Sequence, residues 1–211
     1  MYGYHFLNPS LRLSHGDGRK VVVGDKLTFR PTPKLCSQGF HASRRPLHAL
    51  QYASGPHLHL CRVRLSGQIL HGEDKSVATE RRVLWMFDAT ALLENFNRWC
   101  AAQVVHLWDA PEVFLEYLRT GAESLKEAAY KASTEATSWI SAGINSVEAD
   151  RAMACAEACG GADAEVWASV WTEAEASAEV TVLAGAEKEF LRLIPLARAG
   201  RLPTEVVIPK N

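Results

Sequence analysis

A change of texture near residue 90 constrains this chain more than any single motif. Before it, short runs of aromatic and β-branched residues are cut by Gly, Pro and Asp. After it, apolar residues fall at helical spacing and alanine accumulates. Strands bury one face against a sheet partner and helical stripes bury against other helices, so the two textures predict segregated layers. The expected class is α+β, with a small β-rich part over residues 1–89 and an Ala-rich helical part over residues 90–211.

In the first part, "YGYHFL" reads as an aromatic strand and "SHGDGRK" as a turn. "KVVVGDKLTF" reads as strand, Gly-Asp turn and strand, and Pro31 and Pro33 follow in a loop. "GFHAS" is extended, and "RRPLHALQYAS" predicts a short helix opening at Pro46, whose fixed φ suits a first helical turn. "HLHLCRVRLSGQIL" is the longest strand candidate. It ends in the turn "HGEDK", and "RRVLWMFDA" supplies the last strand. Beyond residue 90, Leu92, Leu93, Phe96, Trp99, Cys100 and Val104 mark one helical face. Asp109 and Pro111 open a further helix that ends near Gly121. Residues 122–190 are expected to be long helices broken near 143–146 and 159–163, with Trp139, Trp167 and Trp171 as packing ridges. The tail from Gly200 reads as loop with a short edge strand.

Charge follows the same division. Residues 1–88 hold 13 Lys and Arg against 6 Asp and Glu, a balance of +7, whereas residues 89–211 carry −8. A basic β-rich part favours a phosphate-bearing partner, and equally it would attract the acidic part. No run approaches the ~18 apolar residues of a membrane span, so no membrane partner is expected. The N-terminus lacks the charged and apolar regions of a secretory signal. Cysteines at 36, 61, 100, 155 and 159 are odd in number and without zinc-ribbon spacing, which predicts reduced thiols and a cytoplasmic location. The Ala-rich helices could bundle within one chain or between two.

The order of motifs over residues 39–65 is the most specific signal. "GFHAS…HALQY" is followed by "LHLCRVRLSG": Gly, aromatic, small residue, a short helix ending in Tyr, then an apolar strand with a central Cys and a closing Gly. That order resembles the core of the ADP-ribosyltransferase superfamily, its poly(ADP-ribose) polymerase-like branch in particular. The chain also resembles an uncharacterised group of phage and bacterial proteins sharing "GFHAS" and a "G-x-I…DK" turn.

The first resemblance implies transfer of ADP-ribose from NAD to a protein or nucleic-acid acceptor, with NAD as substrate and no metal. Loss of nicotinamide leaves a cation-like ribose, so the chemistry needs a carboxylate, a stacking aromatic and donors to the ribose. By that resemblance His5 would hold the ribose, Phe40 or His41 would stack on the nicotinamide, and Tyr52 would be the second tyrosine. Glu80, read as lying just before the last strand, would be the acid, with Glu73 and Asp74 as alternatives. Arg44 and Arg45 would clamp a pyrophosphate. The sequence departs from the family pattern: His5 is followed by Phe-Leu, and Phe40-His41 stands where a tyrosine is usual. Each residue also has a plainer role: His5 half-buried, Phe40 in the core, Tyr52 a helix-to-sheet contact, Glu80 a surface ion pair, and Arg44 and Arg45 a solvated pair.

Two further patterns are open. His57, His59 and Cys61 alternate, so on a strand they would share a face and offer three zinc ligands. Adjacent positions are equally apolar, however, which describes a strand covered on both faces. Basic and aromatic residues interleave in "KLTFRPTPK", a pattern suited to single-stranded nucleic acid. The alternative to catalysis is therefore a non-catalytic nucleic-acid- or nucleotide-binding module, whose acidic helical part binds a protein or self-associates.

Overall fold

The structure, a computed structural model, describes residues 1–13, 18–53, 55, 57–105, 110–140 and 180–209, with the backbone alone at residues 104, 133–140 and 180–184. It divides into two compact units, Met1–Thr90 and Ala91–Asn211.

The first unit is built on β1 (Tyr2–Leu7), β2 (Lys26–Thr28), β3 (Phe40–Ala42), α1 (Pro46–Leu50), β4 (His59–His71) and β5 (Ser76–Asp88). All pairings are antiparallel: β1 with β4, β4 with β5, and both β2 and β3 with β5. Just past β3, Ser43 exchanges both backbone hydrogen bonds with Tyr4 at 2.7 and 3.0 Å. The chain of pairings β1–β4–β5–β3 therefore returns to β1 and curls the sheet around an interior. That interior holds Leu7, Val21, Leu27, Phe40, Ala42, Cys61, Val63, Leu65, Ala78 and Val83.

Two irregularities decide which side chains point inward. Between Ser66 and Ile69, β4 spends Gly67 and Gln68 against the single Thr79 of β5. Gly67 has φ +74°, a conformation that glycine adopts without steric cost. Between Arg62 and Val63 the register shifts again, and here β5 carries the extra residue, Leu84. Because side chains alternate along a strand, an extra residue moves those beyond it to the other face.

Several expectations need correction. β5 starts at Ser76, so Glu80 lies inside a 13-residue strand rather than just before one. The backbone of Ser76–Arg82 is paired to β4 on one edge and to β2 or β3 on the other, and this pairing overrides the weak strand propensity of "SVATERR". Residues 21–23 form no strand; Val21 is buried, while Val22 and Val23 are about half exposed. Helix α1 does open at Pro46, but it spans only five residues.

In the second unit, α2 (Thr90–Val104, whose first residue belongs to the first unit), α3 (Glu112–Thr120), α4 (Glu123–Ile140) and α5 (Val180–Arg198) are described. Helix α3 ends on Gly121 in the left-handed conformation, φ +64°, with its N–H on the Tyr117 carbonyl. Its Phe114, Tyr117 and Leu118 pack with Ala101, Ala102, Val105, Ala129 and Val206. The Arg98 guanidinium donates to the Leu118 and Arg119 carbonyls at the end of α3. The tail is held without a strand, through Val206 N–H to the Arg119 carbonyl and Asn95 Nδ2 to the Pro203 carbonyl. Asp109, the breaks expected near 143–146 and 159–163, Trp167, Trp171, Cys155 and Cys159 lie outside the described residues, as does the side chain of Trp139.

Candidate functional site

Residues paired across antiparallel strands share a face, so the register sorts the functional candidates. Tyr4, Arg62 and Trp85 are partners on β1, β4 and β5, and Tyr2, Arg64, Arg82 and Lys26 are partners one step along. All point to the outer face. The Arg62 guanidinium lies 4.2 Å from the Tyr4 ring centre and 5.9 Å from that of Tyr2. Tyr4 meets Trp85 edge-on at 6.4 Å, and Trp85 continues to Phe87 at 5.8 Å. Tyr2, Lys26, Arg64 and Arg82 are exposed, and Tyr4, Arg62 and Trp85 partly so. Here the bulge matters: with Leu84 paired in regular alternation, Trp85 would join Val83 on the interior face.

Glu80 is on this outer face with its register partners Ser66 and Thr28. Its carboxylate accepts from Ser66 Oγ at 2.8 Å and pairs with Lys26 Nζ at 2.8 Å. Lys26 first, and then Ser66, hold its pKa below the usual carboxylate range. Glu80 is thus the single acid among four cations, Lys26, Arg62, Arg64 and Arg82.

The next residue along β5, Arg81, points the opposite way. It is only 1% exposed, deep in the interior lined by its partners Leu27 and Leu65. Nη1 donates to the His41 carbonyl at 3.3 Å, and the guanidinium carbon lies 5.3 Å from the Phe40 ring centre. Its Nε and Nη2 are buried with no hydrogen-bond partner among the described residues. Buried donors left unmade cost on the order of 1–3 kcal/mol, more for a charged group. Burial pulls the guanidinium pKa down to about 10, so it is still a cation at neutral pH.

His5 and Cys61 are register partners on the face that Cys61 shares with Val63 and Leu65. Burial, and then Arg81 and His41, press the His5 imidazole well below its ordinary pKa. Burial pushes the Cys61 thiol up to about 12, against the opposing pull of Arg81. Both groups next to the guanidinium are therefore neutral at pH 7.

The sequence candidates separate. His5, Phe40 and the His41 backbone gather around Arg81, while Glu80 points to the other side of the sheet. Phe40 is 6% exposed, with its ring between Arg81 and Phe29. The His41 imidazole accepts from the Cys36 N–H at 3.1 Å through Nε2. Tyr52 is exposed; its hydroxyl donates to Asp74, and Lys75 Nζ lies 3.7 Å from its ring centre. Arg44, Arg45 and Glu73 are exposed. His57 precedes β4 with φ +56°, so it does not alternate with His59 and Cys61 along the strand. No group of three metal-binding side chains occurs among the described residues.

Sequence reasoning missed Arg81, Arg62, Tyr4 and Trp85. An Arg-Arg pair reads as surface charge, and only strand pairing shows that one of the two is interior. The aromatic spacing in "YGY" was a usable signal: a period of two on a strand puts both rings on one face.

Residues 1–95 match the family model of a domain of unknown function (DUF7666). No curated protein matches the chain, and no solved structure does. No helix among the described residues is long and apolar enough to cross a membrane.

Proposed function

We propose that the first unit is a non-catalytic module that binds single-stranded nucleic acid across the outer face of its sheet. The observation that supports this is the register set of Tyr2, Tyr4 and Trp85 interleaved with Lys26, Arg62, Arg64 and Arg82. Aromatic rings on a strand accept unstacked bases, and the cations between them track the phosphates. The basic balance of residues 1–88 adds long-range attraction. The acidic helical unit would then serve a protein partner or self-association.

ADP-ribosyl transfer from NAD, on an ADP-ribosyltransferase-like fold, is the second reading. It is favoured by the gathering of His5 and Phe40 beside a buried cation. It needs a carboxylate there, and Glu80 is engaged by Lys26 and Ser66 on the opposite face.

One experiment separates the two. The full chain is titrated with fluorescent oligo(dT) and oligo(rU) at several salt concentrations, and in parallel incubated with NAD while nicotinamide release is followed. Binding that weakens steeply with salt, without nicotinamide release, supports the binding module. Nicotinamide release abolished by His5→Ala would replace it with the enzyme. No oligonucleotide affinity at low salt would refute the binding module.

A further inference from the structure

Among the described residues, the interior of the curled sheet holds a cation with no anion. The groups around Arg81 are Phe40, Leu27, Leu65, the His41 carbonyl and, on the same face, His5 and Cys61. None is acidic, and no salt bridge is made to Arg81 among the described residues. The two orphaned nitrogens are also not a random pair. Nε–H and the adjacent Nη2–H run parallel along one edge of the guanidinium, at the spacing of two oxygens of a carboxylate or phosphate. The third nitrogen, Nη1, is taken by the His41 carbonyl, which fixes the plane and leaves that edge buried and unpaired. Phe40 covers the guanidinium from the side of its ring.

We propose that Arg81 anchors a binding site for a small oxyanion, a carboxylate or phosphate group received side-on by Nε and Nη2 inside the sheet. The ligand's negative charge replaces the missing counter-ion, and its two oxygens satisfy both orphaned donors. Neutral His5 and Cys61 add no second cation, so a singly charged oxyanion such as a carboxylate is matched best. The site faces away from the outer aromatic and basic residues, and does not depend on nucleic-acid binding there.

The test uses the full chain with acetate and inorganic phosphate as separate probes, following the Arg81 Nε–H resonance by NMR, assigned through Arg81→Lys. Saturable movement of that resonance, with a rise in Tm of several degrees at about 100-fold excess over Kd, is expected with at least one probe. Acetate acting alone identifies a carboxylate ligand, and phosphate acting alone identifies a phosphate. Arg81→Met, which removes the charge but keeps much of the bulk, should lose the Tm response while remaining at least as stable without ligand. No movement of the resonance with either probe would overturn the proposal. So would a Tm response that survives in Arg81→Met. Oligonucleotide affinity of Arg81→Met is expected within twofold of wild type, so failure of either reading is visible separately.

Discussion

Replacing Gly67 by alanine tests the bulge that separates the two faces of the first unit. Gly67 sits at φ +74°, which costs an L-residue about 1 kcal/mol more than glycine. A Cβ there would run into Thr79 Oγ1 and stand 3.1 Å from Glu80 Cγ. The hydroxyl is not free to swing aside, because it accepts the Gln68 N–H at 3.0 Å, and losing that bond costs about 1 kcal/mol. Together the terms give a destabilisation of about 2 kcal/mol. The assay is urea unfolding of the full chain read by hydrogen exchange in peptides from residues 59–88, so that only the first unit is measured. Thr79→Ala in the Gly67→Ala background costs almost nothing further, because the collision has already taken the bond that it removes; the double variant is then about 1 kcal/mol better than the sum of its singles, while the backbone cost persists. A Gly67→Ala variant within about 0.5 kcal/mol of wild type would refute the reasoning. A double variant no better than the sum of its singles would show that Thr79 is not the obstacle.

The outer face makes further predictions. If each cation releases counterions from single-stranded nucleic acid, Arg62→Ala/Arg64→Ala should shallow the log–log salt slope by roughly 1.4. Tyr4→Ala should cost about 1–3 kcal/mol of oligonucleotide affinity, measured by fluorescence anisotropy. His5 favours its neutral form in the fold, so the unfolded chain takes up this proton first as the pH falls below about 6.5. Its contribution is therefore intact above that pH and lost on acidification towards its lower folded pKa; His5→Gln should flatten this part of a Tm–pH curve. Thiol labelling read by mass spectrometry should modify exposed Cys36 well before buried Cys61, whose pKa of about 12 leaves almost no thiolate at neutral pH. Equal rates would mean that the interior opens readily.

Local patterns carried much of this protein. Strand β1 was legible because "YGYHFL" combines aromatic residues with turn residues on its C-terminal side, and α1 because the fixed φ and missing N–H of Pro46 suit a first helical turn. The end of α3 was legible because Gly121 can adopt φ +64° without strain. The charge division between residues 1–88 and the remainder needs no structure at all. Each of these follows from a residue's own stereochemistry or charge, and so does not depend on what lies across the fold.

What only the tertiary structure decided is the sidedness of β5. Glu80 and Arg81 are neighbours in a run of three charged residues, and no local property tells which of them is interior. Pairing to β4 on one edge and β2 on the other turns Arg81 inward and Glu80 outward towards Lys26 and Ser66. The extra residue Leu84 then reverses the alternation, bringing Trp85 out beside Tyr4 and Arg62. Sidedness is a property of register, set by partners up to 62 positions apart in the chain. The sequence alone therefore determined a basic, β-rich unit followed by helices. The register determined that this unit has an aromatic, cationic outside and, among its described residues, an interior arginine without a counter-ion.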